Sequence, residues 1–196
     1  MIAFFHYPFR VWQRNLDVFF KVWKAELAFS LAEPVFVLVV MGLGLGSFVG
    51  TIEGKSYIQF IGPGIVAGYA MYSAASECTY GSFSRMQIQK TYDAIIATPV
   101  SIQDVIVGEI FWGATRSLLT SSMVLLVTAV LGLVTSPWAL FILPVSFLAG
   151  LMFASISLLY TSFAPSYYWI RICNIFYILF RYFFKSHNAS VKTYYF

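Results

Sequence analysis

Apolar residues gather into long runs at about 28–48, 57–81, 109–134 and 138–163, and polar residues fill the gaps between them. Each run is near the ~20 residues a helix needs to cross a ~30 Å hydrocarbon core, so the pattern predicts four membrane spans. Residues 1–27 follow a different rule. Phe9, Trp12, Leu16, Phe19, Phe20, Trp23 and Leu27 fall mostly at steps of three and four, and Arg10, Gln13, Arg14, Asp17, Lys21 and Lys24 take the other side. That periodicity predicts a helix lying in the headgroup region, aromatic face down and cations toward anionic lipid. The expected fold is all-α, a polytopic membrane helix bundle with an N-terminal interfacial amphipathic helix. It divides into 1–27, a membrane domain 28–166 and a tail 167–196.

One polar stretch stands out between two apolar runs, RMQIQKTYDAIIATPVSIQDVIVGE from Arg85 to Glu109. Met86 to Ala97 predicts a short amphipathic helix with Ile88, Tyr92, Ile95 and Ile96 on one side and Gln89, Lys90 and Asp93 on the other. Pro99 lacks the N–H a helix needs and pushes Thr98 out of the α region, ending it there. Ser101 followed by Asp104 reads as a capping box that starts the next helix. A helix, a break and a second capped helix make a water-facing docking surface.

Composition sharpens the membrane reading. The 196 residues are 60% hydrophobic and 10% charged, with mean hydropathy +0.79. A soluble domain carries about a quarter charged residues. The net charge of +4 is no argument for nucleic acid, because the basic residues flank apolar runs. Arg10, Arg14, Lys21 and Lys24 precede the first run, and Arg85 and Lys90 lie in the central loop, 82–108. The first loop has only Lys55 beside Glu53, and the third, Thr135 to Pro137, has no basic residue. The positive-inside rule then puts the N-terminus and the central loop in the cytoplasm. No cleavable signal peptide is expected, since the first long apolar run begins near Ala28.

Small residues at intervals of four mark helix contacts: Gly42, Gly46 and Gly50, then Gly64 and Gly68, then Ala70, Ala74 and Cys78. Glu33, Glu77, Glu109 and Arg116 are ionisable groups within or at the ends of spans, each costing about 2.5–3.5 kcal/mol at the centre of a lipid-facing helix. They fit either a structural network near the inner surface or a translocation path. Pro34 kinks or starts the first span. Catalytic patterns are lacking. His6 and His187 lie at opposite ends, no carboxylates pair, and Cys78 and Cys173 have neither disulfide-framework nor metal-ligand spacing. Gly50 to Ser56, GTIEGKS, falls one residue short of the phosphate-binding G-x-x-x-x-G-K-[ST] and has no buried strand before it.

Further residues carry a family likeness. Pro34 with Val39 to Gly46, Phe60 to Gly64, Tyr80-Gly81, Arg85-Met86, Lys90 to Ile95, Ala97 to Ser101, Gly108 to Ile110 and Trp112 to Arg116 resemble the type-2 ABC exporter permeases, in their NodJ-like branch. The resemblance spans roughly Phe9 to Ser166. It implies a multi-pass subunit of the bacterial inner membrane that pairs with a second permease copy and with an ATP-binding subunit. That partner would hold ATP and Mg, and this chain would bind no cofactor. The central loop would act as a cytoplasmic coupling helix, with Arg85, Gln89, Lys90, Thr91, Tyr92, Asp93, Thr98 and Pro99 against the ATPase. The implied cargo is a lipo-oligosaccharide, polysaccharide or drug-like molecule. A membrane-embedded lipid or glycan enzyme is the weaker alternative, because the spans hold no acid–base pair.

After Tyr167 the family pattern is expected to stop. Tyr167 to Phe184 is long enough for a fifth span of about 27 Å, but Arg171 and Arg181 interrupt it, and an interfacial aromatic–cationic helix fits equally. The tail reads as a shifted frame that ends early, which would make the chain a remnant able to assemble but not to transport.

Overall fold

The computed structural model describes residues 3–40, 44, 46–49, 51–52, 55–133 and 137–171. Helix α1 runs unbroken from Ala3 to Val39. The amphipathic segment and the start of the first span are therefore one element, with no break at residue 27 and with Pro34 inside the helix. A short helix α2, Gly46–Val49, leads to a two-stranded antiparallel ribbon in which β1, Thr51–Ile52, pairs with β2, Lys55–Ser56. Apart from that ribbon, the regular structure among the described residues is helical.

Helix α3, Tyr57–Ser76, continues into two π-helical turns, Glu77–Gly81 and Ser84–Ile88. The hydroxyls of Ser76 and Thr79 donate to the carbonyls of Ser73 and Ala75 just where the helix widens. The expected helix 86–97 is thereby divided. Its first residues belong to the second π turn, and Lys90 sits in the left-handed region at φ 49°. Only Thr91–Ile96 forms the separate helix α4. Because the break resets the phase, Tyr92 and Ile95 pack inward with Val11, Val100 and Val105, whereas Ile88 and Ile96 stay exposed.

Helix α5, Ile102–Val130, starts as the sequence predicts. Ser101 Oγ accepts from the Asp104 N–H at 3.2 Å, and Asp104 Oδ2 accepts from the Ser101 N–H at 3.1 Å. A 3-10 turn, Pro137–Phe141, opens helix α6, Ile142–Phe163. Helix α3 with its π turns, α5 and α6 cover most of the second, third and fourth expected runs, and α1 covers 28–39 of the first. Among the described residues, Ile102–Val130 and Ala139–Phe163 are long and apolar enough to cross a membrane.

Helix α5 lies at the centre, in contact with α1, α3 and α6. Glycine makes the closest crossings. A Cβ on Gly113 would fall 2.6 Å from Cys78 Sγ and 2.8 Å from Ala154 Cβ, and one on Gly150 would fall 2.7 Å from Ser117 Cβ. Hydroxyls complete these contacts: Thr120 donates to Ser73 at 2.8 Å, Ser117 to the Ser146 carbonyl at 2.9 Å, and Ser121 shares 2.7 Å with Ser146. In lipid, where apolar side chains supply little association energy, close backbone approach and such bonds hold helices together. Beyond α6, residues 167–171 turn back so that Ile170 is buried against Phe83 and Ala164. The remainder of the tail, including most of the expected fifth span, lies outside the described residues, as do Gly42 and Gly50.

Candidate functional site

Three elements meet where the central loop joins the bundle, and charged side chains form the joint. Glu109, on the first third of α5, is fully buried. Its Oε2 accepts from Arg85 Nη2 at 2.6 Å and from Ser82 Oγ at 2.9 Å, and its Oε1 accepts from Asn15 Nδ2 at 3.0 Å. Arg14 Nη2 lies 3.7 Å from the same oxygen. One carboxylate thus ties α1, the π turns and α5 together.

A second knot adjoins it. Glu77 Oε1 accepts from Arg85 Nη1 at 3.0 Å and from Trp112 Nε1 at 2.9 Å, while its Oε2 faces Arg116 Nε at 3.4 Å. Arg116 reaches on to Glu26 of α1 at 2.7 Å and lies over the Phe19 ring at 5.1 Å. The Trp12 indole donates to Thr115 at 2.9 Å alongside. Local backbone makes room for both knots. A Cβ on Gly81 would sit 2.7 Å from Glu77 Oε1 and 3.1 Å from Arg85 Nη2, so this glycine lets the ion pair cross the helix surface. A Cβ on Gly108 would strike Val11 Cβ at 2.7 Å, so α1 crosses α5 with the backbones almost in contact.

The junction is electrically balanced, with Arg14, Arg85 and Arg116 facing Glu26, Glu77 and Glu109. Balance matters because burying an unpaired ion costs several kcal/mol. For Arg85, burial disfavours the charge, but Glu109 and then Glu77 outweigh it and raise its pKa above the usual arginine value. Arg14 goes the other way, its pKa lowered by burial that Glu109 only partly offsets. Burial, followed by the nearby Glu109 carboxylate, pushes the Tyr92 phenol up, so Tyr92 stays neutral. Between α1 and the two knots lies a cavity of about 80 Å³.

Residues expected on one docking surface separate into two sets. Gln89, Lys90, Asp93, Thr98 and Pro99 are exposed on the loop, Thr91 is half-buried, and Ile88, Ile96 and Ile102 add apolar surface among them. Arg85 and Tyr92 turn inward instead. Arg85 belongs to the charge junction and Tyr92 is 6% exposed, so neither side chain is free to meet a partner. Of the ionisable residues noted in the spans, Glu77, Glu109 and Arg116 come together. Glu33 does not, since it lies apart on α1 and accepts from the Tyr69 hydroxyl at 3.1 Å. Asn15, Glu26 and Ser82 complete the junction without having been singled out; Arg14, expected to face anionic lipid, turns toward Glu109 instead, and Trp112, noted only in the family likeness, bonds Glu77. Asn15 carried a usable signal, a polar residue midway between Val11 and Phe19 on one helix face.

The family model for ABC-2 type transporters matches residues 9–192. The chain belongs to this family. The match also runs well past Tyr167, so the likeness does not end where the tail's composition suggests. Curated relatives include Nodulation protein J of Rhizobium meliloti, 41% identical over 157 residues that make up 80% of this chain and 60% of the relative. Nodulation protein J of Sinorhizobium fredii is 39% identical over the same shares. The inner membrane transport permease YadH of Escherichia coli is 26% identical over 61% of this chain and 45% of its own length. The chain thus spans about three fifths of the length of the first two relatives. No solved structure matches. As an ABC-2 family member, it is a membrane protein.

Proposed function

We propose that the chain is a permease subunit of an ABC exporter in a bacterial inner membrane, with its N-terminus and central loop in the cytoplasm. A separate subunit supplies ATP hydrolysis and holds the nucleotide and Mg, and a second permease copy completes the membrane pathway. The cargo is of the lipo-oligosaccharide, polysaccharide or drug-like class, after the resemblance to Nodulation protein J.

The observation that carries this reading is the two-sidedness of the loop. Its outer side presents Gln89, Lys90, Asp93, Thr98 and Pro99 around exposed isoleucines, a mixed surface suited to a protein partner. Its inner side is fastened to the bundle by Arg85 on Glu109 and by Tyr92 between Val11 and Val105. A push on the outer side therefore reaches α1 and α5 together. Domain motion in a partner can be converted into helix motion in this way without any chemistry in the chain.

Co-expression with the ATP-binding subunit tests the reading. Asp93→Arg and Ile96→Asp change exposed residues only; each is expected to reduce co-purification of the ATPase at least tenfold while the permease stays folded. Undiminished co-purification with both variants would sink the docking role of this surface. Cysteine labelling provides the orientation test: a label at Lys90→Cys that reacts from outside intact cells would reverse the topology.

A further inference from the structure

We propose that the turn after α6, residues 167–171, is a membrane anchor whose aromatic side lies in the lipid headgroup layer on the loop's side of the bilayer. The inference rests on α6 crossing the membrane, which its length and apolar composition fit, and on nothing else in the transport reading.

Helix α6 presents one apolar stripe outward. Val145, Leu148, Met152, Ile156, Leu159 and Phe163 recur at steps of three and four, and all are exposed. The helix stops just past that stripe. Ala164 is extended, and the exposed Pro165 and Ser166 continue as irregular chain. Irregular backbone facing lipid is not tolerated within the hydrocarbon, where its N–H and C=O groups would lack partners. Residues 164–166 therefore mark the level at which the hydrocarbon ends.

The chain then stays at that level. The Trp169 N–H donates to the Ser166 carbonyl at 3.1 Å, and the Tyr160 hydroxyl donates to the Trp169 carbonyl at 2.8 Å. Nine residues of straight helix would travel about 13.5 Å; here they come back within reach of one side chain. Ile170 is buried against Phe83 and Ala164, and the Tyr167 ring lies 5.5 Å from that of Tyr80 and 6.0 Å from that of Phe83. One side of the turn is thus pinned to the π-helical end of α3. The other side holds Tyr168, 70% exposed, and Trp169, 52% exposed, with the exposed Arg171 after them.

The chemistry of that side selects the partner. Tyr and Trp rings, apolar with one polar edge, collect where hydrocarbon meets water, and a guanidinium at the same depth pairs with lipid phosphate. A span starting at Tyr167 would instead carry Arg171 about 6 Å into hydrocarbon. Because Phe83 lies between the two π turns, the anchor ties the base of the loop to the headgroup layer.

The test uses the full chain in phosphatidylcholine vesicles that contain lipids brominated near the ester end or near the methyl end of the acyl chain. A fluorophore is placed at Tyr168→Cys or, for comparison, at Met152→Cys, both exposed positions, in a Cys173→Ser background where the buried Cys78 is the other thiol. The Tyr168 label is expected to be quenched about twofold more by ester-end than by methyl-end bromine. The Met152 label, about 16 Å along α6 from Phe163, should show the reverse order. Adding Trp169→Ser and Arg171→Glu should lower ester-end quenching at Tyr168 and leave Met152 unaffected. Stronger methyl-end quenching at Tyr168 would mean that the chain re-enters hydrocarbon there. Quenching by aqueous iodide with no effect of either brominated lipid would mean a water-facing turn, and shielding from iodide only with the ATP-binding subunit bound would mean a protein contact. Each of these overturns the proposal, as does quenching at Tyr168 that ignores both added substitutions. If the Met152 label escapes methyl-end quenching, α6 does not span and the inference falls with its premise.

Discussion

The charge junction and the α3–α5–α6 interface both fasten helix α5, by different means. At the interface, glycines bring backbones within van der Waals contact, and neutral hydroxyls bridge what remains. Such packing has few alternative arrangements, because a displaced helix meets atoms at once. At the junction, long side chains hold α1, the π turns and α5 through ion pairs, and Glu109 and Glu77 each serve more than one donor. Ion pairs of this kind can exchange partners without opening voids. The loop is fastened to the bundle through these ion pairs, beside the close α1–α5 crossing at Gly108.

Substitutions can break this contrast. The largest effect is expected from Glu109→Gln, which leaves Arg85 and Arg14 short of a counter-charge; removing one member of a buried pair costs about 3–5 kcal/mol. The loss should appear as a lowered thermal midpoint of the detergent-solubilised chain. Arg85→Gln added to Glu109→Gln should recover part of that loss, and strict additivity would deny the coupling. Gly150→Leu comes next: overpacking the interface should cost about 1–3 kcal/mol and should be insensitive to any charge substitution at the junction. Gly81→Ala is smaller, because the atoms it meets are the ends of flexible side chains; the expected loss is about 1 kcal/mol or less, and it should shrink in an Arg85→Gln background, where Glu77 has one tie fewer. Ser121→Ala should cost least, about 0.6 kcal/mol, the average for a hydrogen bond between helices in a membrane.

Sequence alone reached the long helices of the bundle, the capping box at Ser101 and the polar loop, because each rests on local chemistry: run length, a hydroxyl three residues before a carboxylate, a proline. It did not reach the continuity of α1, since Leu27 and Ala28 separate two hydrophobic patterns without any residue that breaks a helix. The phase of Tyr92 was equally hidden, because a left-handed Lys90 leaves no trace in periodicity. Glu77, Glu109 and Arg116 were recognisable as costly ions, but their grouping was not, because Asn15 and Glu26 approach them from about ninety residues away along the chain. Arg85 looked like a surface cation because it lies in a polar loop, and the π turns that aim it at Glu77 and Glu109 leave no mark in the hydrophobic pattern.

The order of residues in the junction bears on how the protein is made. Arg14, Asn15, Glu26, Glu77, Ser82 and Arg85 all leave the ribosome before Glu109 and Arg116 do. The carboxylate that ends up with no contact to water and the guanidinium one helical stretch beyond it are thus the last ions of the group to be synthesised. Each enters a bilayer in which its counter-ions already exist, so biosynthesis never has to bury either charge alone.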